Sequence, residues 1–142
     1  MANNCLFCKI AGGSIKSEII YSNDHVVAFR DINPQAPVHV LVIPRRHIES
    51  ATAVMPEDDA MVAELLRAAA EVARQEGIAG SGYRLVINNG PDAEQSVPHL
   101  HVHVFPAYNL TDFGFAHIDR SPSPESLDEA QAKIRAALAD LA

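Results

Sequence analysis

Residues 97–105 read VPHLHVHVF and place a histidine at every second position of an apolar run. Side chains of a β-strand alternate between the two faces of a sheet, so His99, His101 and His103 share one face while the intervening apolar residues fill the other. Neighbouring imidazoles on that face stand about 6.6 Å apart, because a strand rises about 3.3 Å per residue. The alternation therefore predicts a strand with one apolar face and one face of titratable side chains.

The shared face favours a functional site, because burying several imidazoles without partners is costly. Near neutral pH an imidazole can act as a base, a nucleophile or a metal ligand. Two histidines at positions i and i+2 can also bind one zinc ion, so a zinc hydrolase that uses these histidines as ligands is an alternative. The preceding loop, 88–96 (NNGPDAEQS), offers amide and hydroxyl groups that suit phosphate oxygens.

The remaining apolar pattern predicts an α+β fold, with a five-stranded, mainly antiparallel sheet, a long helix and a C-terminal helix. The turn Ser22-Asn23-Asp24 is short enough to join two strands as a hairpin. The predicted strands are 18–21, 26–30, 38–43, 83–88 and 99–105.

The long helix is predicted within the stretch 56–77, with Pro56 at its first position and Gly77 past its end. A C-terminal helix is predicted from Ser126, where Glu129 completes a capping-box pattern. The long helix carries a predicted buried stripe of apolar residues at helical spacing, namely Met61, Val62, Leu65, Leu66, Ala69, Val72 and Ala73.

Composition narrows the class of protein. The chain has 142 residues, 48% of them hydrophobic, with two cysteines and a formal net charge of −7. This length fits a single domain over 1–142, and the negative charge argues against binding of polymeric nucleic acid. Membrane-spanning apolar runs and a secretory signal are both lacking, so we expect a cytoplasmic protein without membrane association.

Residues 99–105 (HLHVHVF) resemble the motif of the histidine triad (HIT) family, His-φ-His-φ-His-φ-φ with φ apolar. Similar family stretches occur in the family's order at 7–10 (FCKI), 28–37 (AFRDINPQAP), 39–44 (HVLVIP), His47, Asn88-x-Gly90 and 95–97 (QSV). The resemblance covers about residues 5–106, which leaves 107–142 as a tail.

The resemblance implies hydrolysis that releases a nucleoside monophosphate from a leaving group on its α-phosphate. It gives His101 the role of the nucleophile that forms a transient nucleotidyl-histidine. His103, Ser96 and Asn88 are implied to hold the phosphate oxygens, and His39 to orient His101 or relay its protons. Gln95 is implied to lie beside the substrate.

The resemblance also implies a nucleoside site for an adenosine or guanosine type of substrate. Asp31 is implied to bind the ribose hydroxyls. An apolar slot reads few hydrogen bonds, so we expect loose base selectivity. The residues implied to line this slot are Phe7, Ile10, Phe29, Ile32 and Leu41, although each of them is also an ordinary core residue type.

Some bacterial family members that begin with Cys-x-x-Cys carry a structural zinc ion, which implies a site formed by Cys5, Cys8, His47 and His99. A redox pair and two idle thiols are the alternatives for the cysteines. The zinc would be structural, and no catalytic metal is expected. His99 would then be a ligand with no acid or base role.

Two features depart from the family pattern. Glu94 stands where family members commonly have glycine, and the tail does not match the short ending of the phosphoramidase branch. A dinucleoside polyphosphate hydrolase is therefore an alternative to a phosphoramidase. A nucleotide-binding regulatory protein with little turnover is a third hypothesis. A homodimer, paired through the long helix and a sheet edge, is expected from the resemblance.

Overall fold

A computed structural model describes residues 4–34, 36, 38–107 and 121–139. The chain divides into two compact units, 1–107 and 108–142. The first unit contains the sheet and every residue implied to act in the site, and the described part of the second contains one helix. The single domain over 1–142 stays a prediction, and residues 108–120 of the tail lie outside the described residues, as do Gln35 and Pro37 of the upstream motif.

The described residues contain three α-helices and five β-strands. In the first unit they are α1 (Leu6–Ala11), β1 (Ile19–Ser22), β2 (Val26–Arg30), β3 (Val40–Pro44), α2 (Asp59–Gln75), β4 (Tyr83–Val86) and β5 (Val102–Pro106). The second unit contributes α3 (Pro124–Leu138).

The five strands form one sheet in the order β1-β2-β3-β5-β4, and every neighbouring pair is antiparallel. The predicted α+β class is therefore confirmed. Asn23 makes the β1–β2 turn, because its side-chain oxygen accepts the backbone N–H groups of His25 and Val26 at 2.8 and 2.9 Å. Leu41 pairs with His103, so β3 and β5 stand side by side at the centre of the sheet.

Both faces of the central strands β2 and β3 are buried. Their sequences are therefore almost continuously apolar and do not alternate with polar residues. One face packs against α2, and alternate strand residues such as Val26, Val42 and Val104 enter that core. The other face packs against α1 through a second apolar cluster. That cluster contains Cys5, Phe7, Ile10, Val27, Phe29, Leu41 and Ile43.

Helix α2 follows a short 3₁₀ turn at Pro56–Asp58 and ends before Gly77, whose φ of 75° is the left-handed value typical of a residue past a helix end. The predicted stripe is wrong at two positions: Val62 and Leu66 are 41% and 63% exposed. Ala68 takes a buried position in their place. A helix has a single core-facing stripe, and these two residues lie beside it.

Three other predictions need correction. Helix α1 was not expected, and Cys5 caps it by accepting the backbone N–H of Cys8 on its sulfur. Helix α3 begins earlier than predicted, because Ser123 rather than Ser126 caps it. Strand β5 begins at Val102, after the first two histidines. In the described parts of the chain, no helix has the length and apolar character needed to cross a membrane.

Candidate active site

The alternation around β5 sorts the side chains as predicted. Leu100, Val102 and Val104 enter the core beneath α2. The rings of His101 and His103 lie 4.9 Å apart, centroid to centroid. This spacing is closer than the roughly 6.6 Å expected from the backbone repeat, and the two ring planes meet at 65° in an edge-to-face arrangement.

His101 is held in one tautomer by the backbone. Its Nδ1 lies 2.7 Å from the carbonyl oxygen of His99, and a carbonyl can only accept, so Nδ1 carries the hydrogen. The nitrogen with the free lone pair is therefore Nε2. The side chain is 3% exposed, and this burial lowers the pKa of His101 below its usual range. The neutral imidazole that results is the nucleophilic form.

The ring of His99 lies against the N-terminal cysteines, Cys5 and Cys8. Its Nε2 donates to the carbonyl oxygen of Pro44 at 2.8 Å, which leaves Nδ1 with the lone pair. Nδ1 lies 3.3 Å from the sulfur of Cys5 and 3.5 Å from that of Cys8. His99 therefore presents a ligand nitrogen to the cysteines and a carbonyl to His101.

His103 faces His39 and Asp31. The Nδ1 of His103 lies 2.9 Å from the Nε2 of His39, which in turn lies 3.4 Å from a carboxylate oxygen of Asp31. Burial, followed by the neighbouring His101 and His39, lowers the pKa of His103 to about 4. The Nδ1 atoms of the three triad histidines thus point to three different partners, which disfavours the alternative in which the triad jointly binds one zinc ion.

Cys5, Cys8, His47 and His99 bring their ligand atoms within 4.8 Å of one another, close enough to hold a metal ion. The sulfur of Cys8 also lies 3.3 Å from the Nδ1 of His47. Sulfur and nitrogen ligands of one tetrahedral zinc ion are about 3.6 Å apart, so the sulfur–nitrogen distances fit that ion. The Pro44 carbonyl supplies the outer hydrogen bond that orients such a histidine.

The loop that carries His47 is fixed at both sides. The carbonyl of Ile48 accepts the backbone N–H of Leu100 at 2.7 Å, which joins this loop to the start of the histidine segment. The buried carboxylate of Asp58 accepts from the Arg46 guanidinium and from the backbone N–H of Met55. Side-chain patterns gave no signal for the carbonyls of Pro44 and Ile48, because any residue type could supply them.

Most of the implied base slot is closed by packing. The rings of Phe7 and Phe29 meet edge to face at 5.5 Å, and Phe7 also contacts His101 at 5.0 Å. Ile10 and Leu41 are buried in the same cluster. Ile32 differs, since it is 83% exposed. An edge of this cluster and Ile32 are the apolar surfaces that a base can meet.

The loop before β5 holds itself together through Gln95. Its side-chain oxygen accepts the backbone N–H of Gly90 at 2.9 Å, and its amide nitrogen donates to the carbonyls of Glu49 and Val97. Ser96 is exposed and Asn88 partly exposed. Of the three implied substrate contacts in this loop, Gln95 has its amide engaged with the backbone.

Glu94 is the one non-glycine residue with positive φ among the described residues, at 62°. Its backbone therefore adopts the left-handed conformation that glycine accepts without steric cost. A glycine at this position is what the resemblance to the family implies.

Comparison with known proteins identifies the family. The sequence profile of the HIT domain matches residues 12–110. A purine nucleoside phosphoramidase of Escherichia coli is 43% identical over 104 residues, which cover 73% of this chain and 87% of that protein.

Solved structures extend the likeness to the tail. A HIT family hydrolase from Legionella pneumophila is 42% identical, with a TM-score of 0.71 over 74% of this chain and 94% of the other. A hypothetical protein from Leishmania major is 34% identical, with a TM-score of 0.77 over 99% of both chains. The chain therefore belongs to the HIT family, as its sequence predicts. Its relatives include proteins named as hydrolases, in agreement with the predicted enzyme class.

Proposed function

We propose that this protein is a HIT hydrolase that cleaves a nucleoside monophosphate from a phosphoramidate or a related conjugate through a nucleotidyl-histidine. The observation that carries the proposal is the 2.7 Å contact between Nδ1 of His101 and the carbonyl of His99. Because this contact fixes the tautomer, the Nε2 lone pair is available for attack. The similarity to a purine nucleoside phosphoramidase supports the choice of substrate.

The reaction proceeds in two displacements at phosphorus. The Nε2 lone pair of His101 forms a bond to the α-phosphorus as the bond to the leaving group breaks, and the leaving group departs with that electron pair and takes up a proton. Water then attacks phosphorus and loses a proton, and the phosphorus–Nε2 bond breaks to restore His101. Covalent capture divides one difficult step into two easier ones.

The neighbouring groups bind the substrate and stabilise charge. His103, Ser96 and Asn88 donate to the phosphate oxygens as charge builds in the transition state. Asp31 binds the ribose hydroxyls, and the apolar edge at Ile32 and Phe7 contacts the base. His39 contacts His103 at 2.9 Å, so it acts on the nucleophile through His103. Gln95 acts indirectly, by holding the loop that carries Ser96.

A turnover assay with two substrates tests the proposal. Wild type, His101→Ala and the exposed-histidine control His25→Ala are incubated with an adenosine phosphoramidate and with a diadenosine polyphosphate. Wild type and His25→Ala should release adenosine monophosphate from the phosphoramidate, and His101→Ala should not. Equal turnover by His101→Ala excludes it as the nucleophile. Tight nucleotide binding without turnover by the wild type favours the regulatory alternative.

A dinucleoside polyphosphate hydrolase is the second candidate. The observation that favours it is the length of the chain, because the match to the phosphoramidase covers 73% of this chain, whereas the structure of another relative covers 99% of it. Both candidates share the attack by His101 and differ in the leaving group. Faster release of nucleotide from the diadenosine substrate than from the phosphoramidate supports this candidate.

We further propose that Cys5, Cys8, His47 and His99 hold a structural zinc ion. Burial and the Cys5 sulfur raise the pKa of the Cys8 thiol to about 11, so zinc has to displace its proton, and affinity falls as pH falls. When bound, the ion cross-links the start of α1 to the segment before β5. These residues contribute ligands to it and take no part in proton transfer.

We also propose a homodimer paired through α2 and an edge of the sheet. Val62 and Leu66 are exposed one helical turn apart on α2, and apolar surface of this kind is favourable to cover. Leu66→Glu should shift the protein to monomer in analytical ultracentrifugation, while Arg67→Glu, one residue along the helix, should shift it less. A wild type that is monomeric at all concentrations excludes the dimer.

A further inference from the structure

A second set of metal-ligating atoms lies apart from the cysteine cluster and shares no residue with it. An oxygen of Asp31, the Nε2 of His39 and the Nδ1 of His103 all lie within 4.8 Å of one another. Two imidazoles and one carboxylate are the set with which proteins bind divalent first-row transition metals while leaving coordination positions open. We propose that these three residues form an inhibitory site for such a cation, distinct from the cysteine site.

The distances fit direct coordination. His39 lies 2.9 Å from His103 and 3.4 Å from Asp31, measured between the ligand atoms. Neighbouring ligands of an octahedral or tetrahedral ion with bonds of about 2.1 Å are about 3.0 to 3.4 Å apart. An ion can therefore enter with small movements of the three side chains. In its absence, one imidazole donates a hydrogen bond to the other across the same contact.

The ligands come from three parts of the sheet and are oriented by their surroundings. Asp31 follows β2, His39 precedes β3 and His103 lies in β5. The second carboxylate oxygen of Asp31 accepts the backbone N–H of Asn33 at 2.9 Å, which leaves the first oxygen facing His39. His39 is 2% exposed, and a buried imidazole favours the neutral form that binds metals.

Occupancy by a cation excludes substrate. This consequence rests on the proposed function, in which Asp31 binds the ribose and His103 donates to the phosphate. A metal ion takes the carboxylate lone pairs of Asp31 that would accept from the ribose hydroxyls, and it fixes the ring of His103, so nucleotide and cation compete. Imidazole ligands favour the later metals of the first row, so Ni²⁺, Zn²⁺ and Cu²⁺ should bind more tightly than Mn²⁺, and Mg²⁺ more weakly still.

Titration of the full-length protein, loaded with one equivalent of zinc to fill the cysteine site, with Co²⁺ tests the second site without any activity measurement. Thiolate charge-transfer absorption identifies Co²⁺ in the cysteine site, whereas Co²⁺ bound by Asp31, His39 and His103 gives visible absorption without that band. We expect one equivalent of the second kind in the wild type and in His25→Ala. Asp31→Asn and His103→Gln should each weaken it at least about tenfold, since even outer partners of a ligand contribute that much to affinity.

Each outcome decides the inference. Absence of the second equivalent, or an equivalent that Asp31→Asn and His103→Gln leave unchanged, overturns the site. A second titration with adenosine monophosphate present should weaken Co²⁺ binding, and unchanged binding overturns the competition. Failure of the hydrolase proposal appears separately, as absence of turnover in wild type that holds one equivalent of zinc and no added Co²⁺, and does not alter the Co²⁺ spectra.

Discussion

The two faces of the segment from His99 to β5 are built under different rules. On the α2 face, Leu100, Val102 and Val104 are buried by interchangeable apolar contacts, and only volume and shape matter. On the other face, each histidine is fixed by particular hydrogen-bond partners: a carbonyl for His101, the cysteines and Pro44 for His99, and His39 for His103. Alternate residues of this one segment therefore have different roles: the apolar residues stabilise the fold, and the histidines form the candidate active site.

The sharpest test of this division is a pair of substitutions at adjacent positions. His101→Ala should lower the turnover of a nucleoside phosphoramidate at least about ten-thousandfold, because it removes the nucleophile. Leu100→Ala should lower the free energy of unfolding by about 2 to 5 kcal/mol, because it leaves a cavity under α2. Urea denaturation and steady-state kinetics on both variants check the pair. A loss of stability in His101→Ala as large as that in Leu100→Ala contradicts the division.

Zinc removal should give the next largest effect. A zinc ion present at a thousandfold excess over its dissociation constant stabilises the fold by about 4 kcal/mol, so a chelator should lower the Tm of the wild type. Cys8→Ser should have a Tm that is already low and insensitive to the chelator. His25→Ala is the control and should respond as the wild type does. Protein purified without chelator that contains no zinc excludes the site.

Lowering the pH should reduce the stability of the protein through its buried histidines, because the residues of the apolar face carry no titratable groups. Burial holds the pKa of both His39 and His103 below the value of 6.5 expected in the unfolded chain, and that of His103 at about 4. The unfolded chain therefore binds protons first as pH falls, which favours unfolding. Stability is fully present above about pH 6.5 and declines toward pH 4, by up to about 1.4 kcal/mol per pH unit for each of these histidines.

Urea denaturation between about pH 7 and pH 5 measures this slope. His103→Gln should have a shallower slope than the wild type, because it lacks one of the buried titrating groups. His25→Gln removes an exposed histidine and should leave the slope unchanged. If the free energy of unfolding depends on pH equally in all three proteins, burial of His103 does not lower its pKa.

The smallest effect concerns the loop that leads into the histidines. Glu94→Gly should stabilise the protein by about 1 kcal/mol, because glycine adopts the left-handed backbone without the steric cost that Glu94 bears, at some cost in unfolded-state entropy. Asp92→Gly, two residues earlier in a 3₁₀ turn without positive φ, should not stabilise it. Calorimetric Tm values compare the two variants, and a lower Tm for Glu94→Gly than for wild type refutes the strain.

The sequence predicted the fold where periodicity was strong. The alternation at His99, His101 and His103 identified the faces of β5, and Gly77 marked the end of α2. Helix α1 escaped prediction because cysteine is not a usual capping residue, so Cys5 gave no start signal. Val62 and Leu66 were assigned to the core because composition does not show which edge of an apolar stripe stays exposed.

The candidate site was predicted in its residues and less well in its contacts. The ligand atoms of Cys5, Cys8, His47 and His99 do come together, but the Pro44 carbonyl that selects the tautomer of His99 is 55 residues away in the chain. Gln95 shows the same limit: its residue type suits a substrate contact, while the fold uses its amide to close a loop. Hydrogen bonds between a side chain and a distant backbone carbonyl, such as those to Pro44 and Glu49, are not encoded in local spacing.

The two-sided character of β5 also sets how the enzyme can be re-engineered. Substitutions at the odd positions from His101 to Phe105 should be judged by turnover. Substitutions at the even positions from Leu100 to Val104 should be judged by melting temperature. A deletion of one residue before Val102 moves every side chain of the strand to the opposite face of the sheet. The imidazole then enters the apolar core, and valines take its place on the histidine face. Libraries for new specificity should therefore vary the odd positions and the flanking loop, and keep the spacing into β5 constant.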